Sequence, residues 1–238
     1  MDTGLTWHRH SDRQKASAAL AEAVAETVRD CVAEQGTAAL AVPGGSSPGT
    51  FFTCLGEKAL AWPAVKVTLT DERWVPPDDP ASNERLVRQG LMQGKAAAAA
   101  MVGLYGSGCT LEEGAIQAQA RLGALPWPLA ATVLGMGEDG HIASLFPGSA
   151  ALAEGLKGPG ETTNLCLPVP DGLNWPRLTL TLAALLDCNL LALLVFGEDK
   201  RLILDSVGQP DAPARWPVAA AARAAARLGR PMQVFWAP

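Results

Sequence analysis

The chain has 238 residues and a formal net charge of −5, and 48% of its residues are hydrophobic. This size and balance predict one α/β domain over residues 1–238 with a sizeable core, and the acidic charge argues against nucleic acid as a partner. The sequence has no apolar run of about 18 residues for a membrane span, no signal-peptide core and no CxxC pair, so we expect a cytoplasmic protein with reduced cysteines and no structural zinc.

The predicted elements alternate between strand and helix. Apolar segments predict strands at residues 37–42, 65–70, 132–134, 177–181, 190–196 and 232–236. Predicted helices cover residues 11–34, 50–55 and 84–93 and the segments that follow Thr110, Thr181 and Gly197. Capping boxes at Ser11 with Gln14 and at Thr110 with Glu113, and a cap at Ser82, mark three of the helix starts. This alternation indicates a Rossmann-like α/β fold, with a mostly parallel sheet flanked by helices on both faces.

Four polar segments follow predicted strands, and the last of them lies at the start of the next helix. They are Gly44–Ser47, Asp71–Arg73, Asp139–His141 and the segment with Lys200. Open parallel sheets bind ligands beyond the carboxyl ends of their strands, so we expect these segments to converge on one ligand site.

The segment 133–148, VLGMGEDGHIASLFPG, is the most informative of these loops. Its His141 is the only histidine outside the N-terminal segment, and a histidine at a strand end beside a glycine-rich loop is a natural general base. The same letters fit the dinucleotide motif G-x-G-x-x-G. Glu138 and Asp139 would repel a pyrophosphate there, so we expect no nicotinamide or flavin cofactor.

The segment PGGSSPG at residues 43–49 offers backbone N–H groups and the hydroxyls of Ser46 and Ser47 to a phosphate. It lacks the spacing and the lysine of a P-loop. The alternative is that glycine and serine only form a turn before a helix that Pro48 opens.

Charged residues at the other loops are also candidates. Asp71 and Arg73 place a carboxylate beside a guanidinium, which suits a polar substrate, whereas the alternative is a salt bridge that stiffens the loop. Glu72 is expected to point away from Asp71 and support structure. Lys200 and Arg177 could each meet an anion or be ordinary surface groups.

Taken together, these segments resemble the 6-phosphogluconolactonase family. The resemblance extends over nearly the whole chain, in motifs that keep the family's order: PGGSSP at 43–48, DERWVP at 71–76, SN at 82–83, GMGEDGHIASLFPG at 135–148, RLTLT at 177–181 and GEDK at 197–200. The motif GEDGHxASLFPG is the most specific of them. The chain departs from the family pattern in having PGGSSP where SGGSTP is usual and no histidine before the SN pair, and both departures concern the phosphate contacts.

The resemblance implies hydrolysis of 6-phospho-D-glucono-1,5-lactone in the oxidative pentose phosphate pathway, without a redox cofactor. We also expect no metal at the site. It implies that His141 activates water and that Asp139 orients or tunes this histidine. Arg73 and Lys200 would meet the substrate's negative charge. The predicted catalytic residues are His141, Asp139, Arg73 and Asp71. The predicted substrate-binding residues are Gly44, Gly45, Ser46, Ser47, Arg177 and Lys200.

Two other functions stay open from the sequence. One is a sugar-phosphate isomerase or deaminase, such as the glucosamine-6-phosphate deaminases of the wider superfamily, with Asp71 as base on C2 and His141 aiding ring opening. The other is a non-catalytic sugar-phosphate sensor on the same fold. In each case we expect a small sugar phosphate as partner, and the sequence is compatible with a monomer or a homodimer.

Overall fold

The computed structural model describes residues 3–212 and 216–238. In chain order these residues form β1 (Leu5–Arg9), α1 (Arg13–Gln35), β2 (Ala38–Val42), α2 (Gly49–Gly56), β3 (Val65–Leu69), β4 (Asp71–Arg73), α3 (Asn83–Gly90), β5 (Ala100–Val102), α4 (Leu111–Gly123), β6 (Leu129–Leu134), α5 (Leu152–Gly155), β7 (Cys166–Val169), β8 (Arg177–Leu180), α6 (Leu182–Leu186), β9 (Cys188–Phe196), α7 (Glu198–Asp205), α8 (Pro217–Arg227) and β10 (Met232–Ala237).

In this described part of the chain, seven parallel strands form the main sheet, in the order β1-β10-β9-β6-β2-β3-β5. The central strands β2 and β6 are buried along their whole length, as expected for parallel strands covered on both faces. Helix α1 packs over β6, β9 and β10 through an apolar face with helical spacing, which includes Leu20, Val24 and Val28. The predicted α/β class and mostly parallel sheet are thus confirmed.

A second, smaller sheet was not predicted. The strands β4, β8 and β7 pair antiparallel in that order. The predicted strand RLTLT therefore exists, as β8, but lies outside the main sheet. Its pairing with β4 sets Arg177 opposite Arg73 and Thr179 opposite Asp71, so two sequence-distant motifs meet through backbone register.

Helix caps differ from the prediction at one position. Asp12, not Ser11, caps α1, because its carboxylate accepts a hydrogen bond from the backbone N–H of Lys15 (2.8 Å). Ser11 instead donates its hydroxyl to Asp12. The caps at Ser82 and Thr110 are confirmed, although the helix that Ser82 opens ends at Gly90 rather than at residue 93.

The N-terminal segment also differs from its interpretation as a polar lead-in. Residues Leu5–Arg9 form the edge strand β1 beside β10. Polar residues such as Thr6 and His8 hide this strand in the sequence, because an edge strand needs apolar side chains on only one face. Among the described residues, no helix is long and apolar enough to cross a membrane.

Candidate active site

A cleft of about 220 Å³ lies at the carboxyl ends of four neighbouring strands, β9, β6, β2 and β3. Each strand contributes the loop that follows it, as the topology of open parallel sheets predicts. Nine of the ten predicted site residues line the cleft: Gly44, Gly45, Ser46, Ser47, Asp71, Arg73, His141, Arg177 and Lys200. The tenth, Asp139, contacts His141 from outside this lining. The predicted convergence of the loops is therefore present in the structure.

The loop after β6 holds His141 in a defined orientation. Its Nδ1 lies 2.6 Å from Oδ1 of Asp139, and the same oxygen accepts the backbone N–H of His141 at 3.1 Å. An ionised carboxylate can only accept hydrogen bonds, so in the neutral ring the proton lies on Nδ1 and the lone pair on Nε2. The ring of Phe146 packs against the imidazole with centroids 4.6 Å apart.

Glycine is required at two positions of this loop. A Cβ on Gly137 would lie 2.2 Å from Nδ1 and Cε1 of His141, so the imidazole rests directly on a bare stretch of backbone. Gly140 has a φ of +75°, and a Cβ there would lie 2.6 Å from the indole of Trp216. Gly137 therefore leaves room for the histidine ring, and Gly140 leaves room for Trp216.

The structure also bears on the dinucleotide interpretation of the same letters. A dinucleotide fingerprint leads directly into a helix whose N-terminus receives the pyrophosphate. Here residues 141–148 form turns and an isolated bridge between Ile142 and Leu145, and the next helix, α5, begins only at Leu152. The loop therefore lacks the helix N-terminus on which that binding mode depends.

The loop PGGSSP joins β2 to α2 along one wall of the cleft. Gly45 has a φ of +84°, and a Cβ on Gly44 would lie 1.9 Å from Oδ1 of Asn83. The amide of Asn83 in turn donates to the backbone carbonyl of Asp71 at 2.8 Å. Gly44 is thus needed for close packing between this loop and the segment after β3. The role of the loop in phosphate binding stays a prediction.

Asp71 lies at the floor of the cleft and is 6% exposed. Its Oδ2 accepts the hydroxyl of Ser144 at 2.6 Å and lies 3.4 Å from Nη1 of Arg177. Burial lowers the pKa of the Arg177 guanidinium, and the charge of Asp71 opposes that shift. This ion pair holds Arg177 in the wall of the cleft, where the charge of Asp71 offsets part of the charge of the guanidinium.

Arg73 lies beside this pair but makes no salt bridge within the described residues, contrary to the alternative from the sequence. Its Nη1 donates to the backbone carbonyl of Ala81 at 2.5 Å, and its Nε has no hydrogen-bond partner there. Glu72 is absent from the cleft lining and has the structural role expected of it. Its carboxylate accepts hydrogen bonds from the backbone N–H groups of Arg73, Asn83 and Glu84, and so anchors the start of α3.

Lys200 extends into the cleft from the first turn of α7. Burial lowers the pKa of its ammonium group, the negative charge of Glu138 raises it, and the positive charge of Arg13 lowers it. With Arg73 and Arg177 it makes three cationic side chains among the described residues that line the cleft. An acidic protein therefore concentrates positive charge at one site, which favours an anionic small molecule.

Three residues of the site had no predicted role. Asn83, Ser144 and Phe146 lie inside the motifs SN and ASLFPG, so the motifs contained them. Their contacts, with Asp71 for Asn83 and Ser144 and with His141 for Phe146, join segments far apart in sequence or depend on loop geometry. Their positions in the motifs were the only available signal, and it did not indicate what each side chain touches.

Comparisons with known proteins agree with this geometry. The family model described as glucosamine-6-phosphate isomerases/6-phosphogluconolactonase matches residues 11–232. A 6-phosphogluconolactonase of Mesorhizobium japonicum is 45% identical over 233 residues, covering 98% of this chain and 95% of that protein. Another, of Pseudomonas aeruginosa, is 41% identical over 220 residues, covering 92% and 89%.

Solved structures are similar over the same extent. The crystal structure of a 6-phosphogluconolactonase from Shewanella baltica superposes with a TM-score of 0.91 at 35% identity, covering 98% of each chain. A monomeric glucosamine-6-phosphate deaminase superposes with a TM-score of 0.76 at 16% identity, covering 98% of this chain and 97% of that one. The second similarity is one of fold alone.

Proposed function

The chain belongs to the 6-phosphogluconolactonase family, within the wider group that also holds glucosamine-6-phosphate isomerases, and on this premise we propose that it hydrolyses 6-phospho-D-glucono-1,5-lactone to 6-phosphogluconate with His141 as general base. One observation carries the mechanistic part of the proposal. Among the described residues that line the cleft, the one imidazole has its Nδ1 held by Asp139, so its Nε2 is free to take a proton.

The reaction needs no covalent nucleophile, because a lactone carbonyl is already electrophilic. Neutral His141 takes a proton through Nε2 from a water molecule as that water attacks C1 of the lactone. The resulting imidazolium is stabilised by the carboxylate of Asp139, 2.6 Å from Nδ1. The same proton is then returned to the ring oxygen as the C1–O bond breaks, so the enzyme ends the cycle unchanged.

The charged walls of the cleft supply the remaining functions. Lys200 and Arg73 meet the phosphate and the negative charge that develops on the carbonyl oxygen, with backbone N–H groups of the loop 43–48 as further donors. Arg73 is suited to this role, because it lines the cleft and its guanidinium makes no salt bridge among the described residues. Arg177 adds a third cation, whose charge is moderated by Asp71.

Asp71 is better suited to hold Arg177 than to act as a base on C2, as a deaminase would require. Its Oδ2 already accepts the hydroxyl of Ser144 and pairs with Arg177, so a proton transfer to that oxygen would disrupt both contacts. This is our reason for preferring lactone hydrolysis to the isomerase or deaminase alternative. The protein then acts on a free metabolite of the pentose phosphate pathway, in the cytoplasm, as a monomer or a homodimer.

A coupled assay tests this proposal. Freshly generated 6-phosphogluconolactone is supplied with and without the protein, and 6-phosphogluconate is followed through its dehydrogenase. We expect product to form well above the spontaneous background, and no ammonia to be released from glucosamine 6-phosphate. Ammonia release without lactone hydrolysis would favour the deaminase, and binding of 6-phosphogluconate without either turnover would favour the sensor.

A further inference from the structure

Ser144 occupies a position at which three polar groups of the cleft meet. The residue is 1% exposed, and its hydroxyl donates to Oδ2 of Asp71 at 2.6 Å. Nη1 of Arg177 lies 3.5 Å from the same hydroxyl and 3.4 Å from the same carboxylate oxygen. One carboxylate oxygen is therefore shared between a short hydrogen bond to Ser144 and a longer ion pair with Arg177.

The backbone around Ser144 is built to hold this arrangement. Its N–H donates to Oγ1 of Thr179 at 3.1 Å, and Thr179 lies opposite Asp71 in the pairing of β4 with β8. The preceding residue, Ala143, has a φ of +49°, a conformation that a residue with a Cβ rarely adopts. This turn places Ala143 at the cleft and directs the Ser144 hydroxyl toward the buried carboxylate.

The shared oxygen gives the hydroxyl an electrostatic role. A hydrogen bond from a hydroxyl to a carboxylate is short and charge-assisted, and it competes with the guanidinium for the same oxygen. Without it, the contacts of the Asp71 carboxylate in the described part of the chain are the long hydrogen bond from its neighbour Thr70 at 3.3 Å and the ion pair. Asp71 would then draw Arg177 closer, which moves the guanidinium out of the cleft and neutralises more of its charge.

We propose that Ser144 is a positioning residue, which holds Asp71 so that Arg177 stays at the wall of the cleft with charge available to the anionic substrate. This inference rests on the proposed lactonase function, because its substrate is the phosphorylated lactone. Ser144 acts through Asp71 and Arg177 and not on the reacting atoms. Its loss should therefore affect substrate binding more than the chemical step.

The test compares Ser144→Ala and Ser144→Thr with the wild type and with Ser17→Ala as a control. Ser17 is a fully buried serine of α1 whose hydroxyl has no partner in the described residues, so its removal should change neither constant. We expect Ser144→Ala to raise KM for the lactone and Kd for 6-phosphogluconate by about tenfold, the size of one hydrogen bond to a charged group, while kcat changes far less. Ser144→Thr keeps the hydroxyl and should restore most of the affinity.

Repeating the Ser144→Ala substitution in Arg177→Ala protein separates a positioning role of Ser144 from a structural one. In Arg177→Ala protein, adding Ser144→Ala should leave KM unchanged, because the group through which Ser144 acts is gone. An equal rise of KM in both backgrounds, or wild-type KM and Kd in Ser144→Ala, would contradict the inference. If Ser144→Ala fails to fold, Ser144→Cys, with its weakly donating thiol, replaces it with the same expectations. Failure of the proposed function is distinct, because it appears as absence of lactone hydrolysis in the wild type.

Discussion

Oδ1 of Asp139 lies 2.6 Å from Nδ1 of His141 and 3.1 Å from the backbone nitrogen of the same residue. Two contacts from one oxygen determine both the orientation of the imidazole and the nitrogen that carries its proton. The basic Nε2 results from this local geometry, in which Gly137 leaves room for the ring and Phe146 packs against it. In our proposal, three cationic side chains bring the substrate to that nitrogen.

Replacing Asp139 tests the tautomer argument. In Asp139→Asn the amide can donate to Nδ1, which shifts the ring proton to Nε2. Nε2 then has no lone pair with which to accept a proton from water. We expect kcat in the lactone assay to fall by about tenfold or more, with Kd for 6-phosphogluconate nearly unchanged. Asp30→Asn, at an exposed position on α1, is the control. Wild-type kcat in Asp139→Asn would show that the imidazole does not need the carboxylate.

Gly137→Ala tests whether the imidazole must rest on bare backbone. The added Cβ would lie 2.2 Å from the ring, so His141 must move away. We expect kcat to fall by about 100-fold, because a displacement of about 1 Å is enough to lose the productive geometry. Gly123→Ala is the matched control, since a Cβ at that helical position meets nothing within 4 Å. Equal activities of the two variants would contradict the placement of the ring.

Lys200 provides a pH-dependent test of the phosphate site. Burial lowers the pKa of its ammonium from the ordinary 10.5, so the cation is lost at a lower pH than on an exposed lysine. The affinity for 6-phosphogluconate should therefore fall as pH rises through that lowered pKa. Calorimetry at increasing alkaline pH follows this loss, because the phosphate is already fully ionised there.

The substitution Lys200→Arg serves as the control for that titration. A guanidinium stays charged over the same range, so the affinity of this variant should be nearly independent of pH. A wild-type affinity that does not change with pH, or a parallel decline in both proteins, would place the phosphate away from Lys200.

Glu72 provides a test of the scaffold below the site. In Glu72→Ala, the backbone N–H groups of Arg73, Asn83 and Glu84 lose their acceptor in a buried environment. We expect the free energy of unfolding, measured in urea, to fall by about 2–5 kcal/mol. Glu112→Ala, at the exposed first turn of α4, should cost no more than about 1 kcal/mol. Similar losses in the two variants would contradict the anchoring role.

The sequence predicted the parts of the structure that depend on local patterns. Apolar runs located β2, β3, β6, β9 and β10, and loops at strand ends predicted the convergence of eight cleft residues. Strand β1 was missed because an edge strand carries polar residues. The choice between Ser11 and Asp12 as the cap of α1 depends on side-chain direction, which spacing does not encode.

Contacts between distant segments account for the rest. The pairing of β4 with β8 sets Arg177 opposite Arg73, and the hydroxyl of Ser144 reaches a carboxylate 73 positions earlier in the chain. Such contacts depend on the register of a separate sheet and on the left-handed turn at Ala143. No periodicity or spacing in the sequence indicates either of them.

The most direct test of the account is the rate of His141→Ala in the coupled lactone assay, with spontaneous hydrolysis subtracted. We expect kcat to fall by about 10²–10⁴-fold, the contribution of a positioned general base, while Kd for 6-phosphogluconate stays close to that of the wild type. His8→Ala, which removes an imidazole outside the cleft, should keep full activity. Near wild-type turnover in His141→Ala would contradict the assignment of His141 as the base.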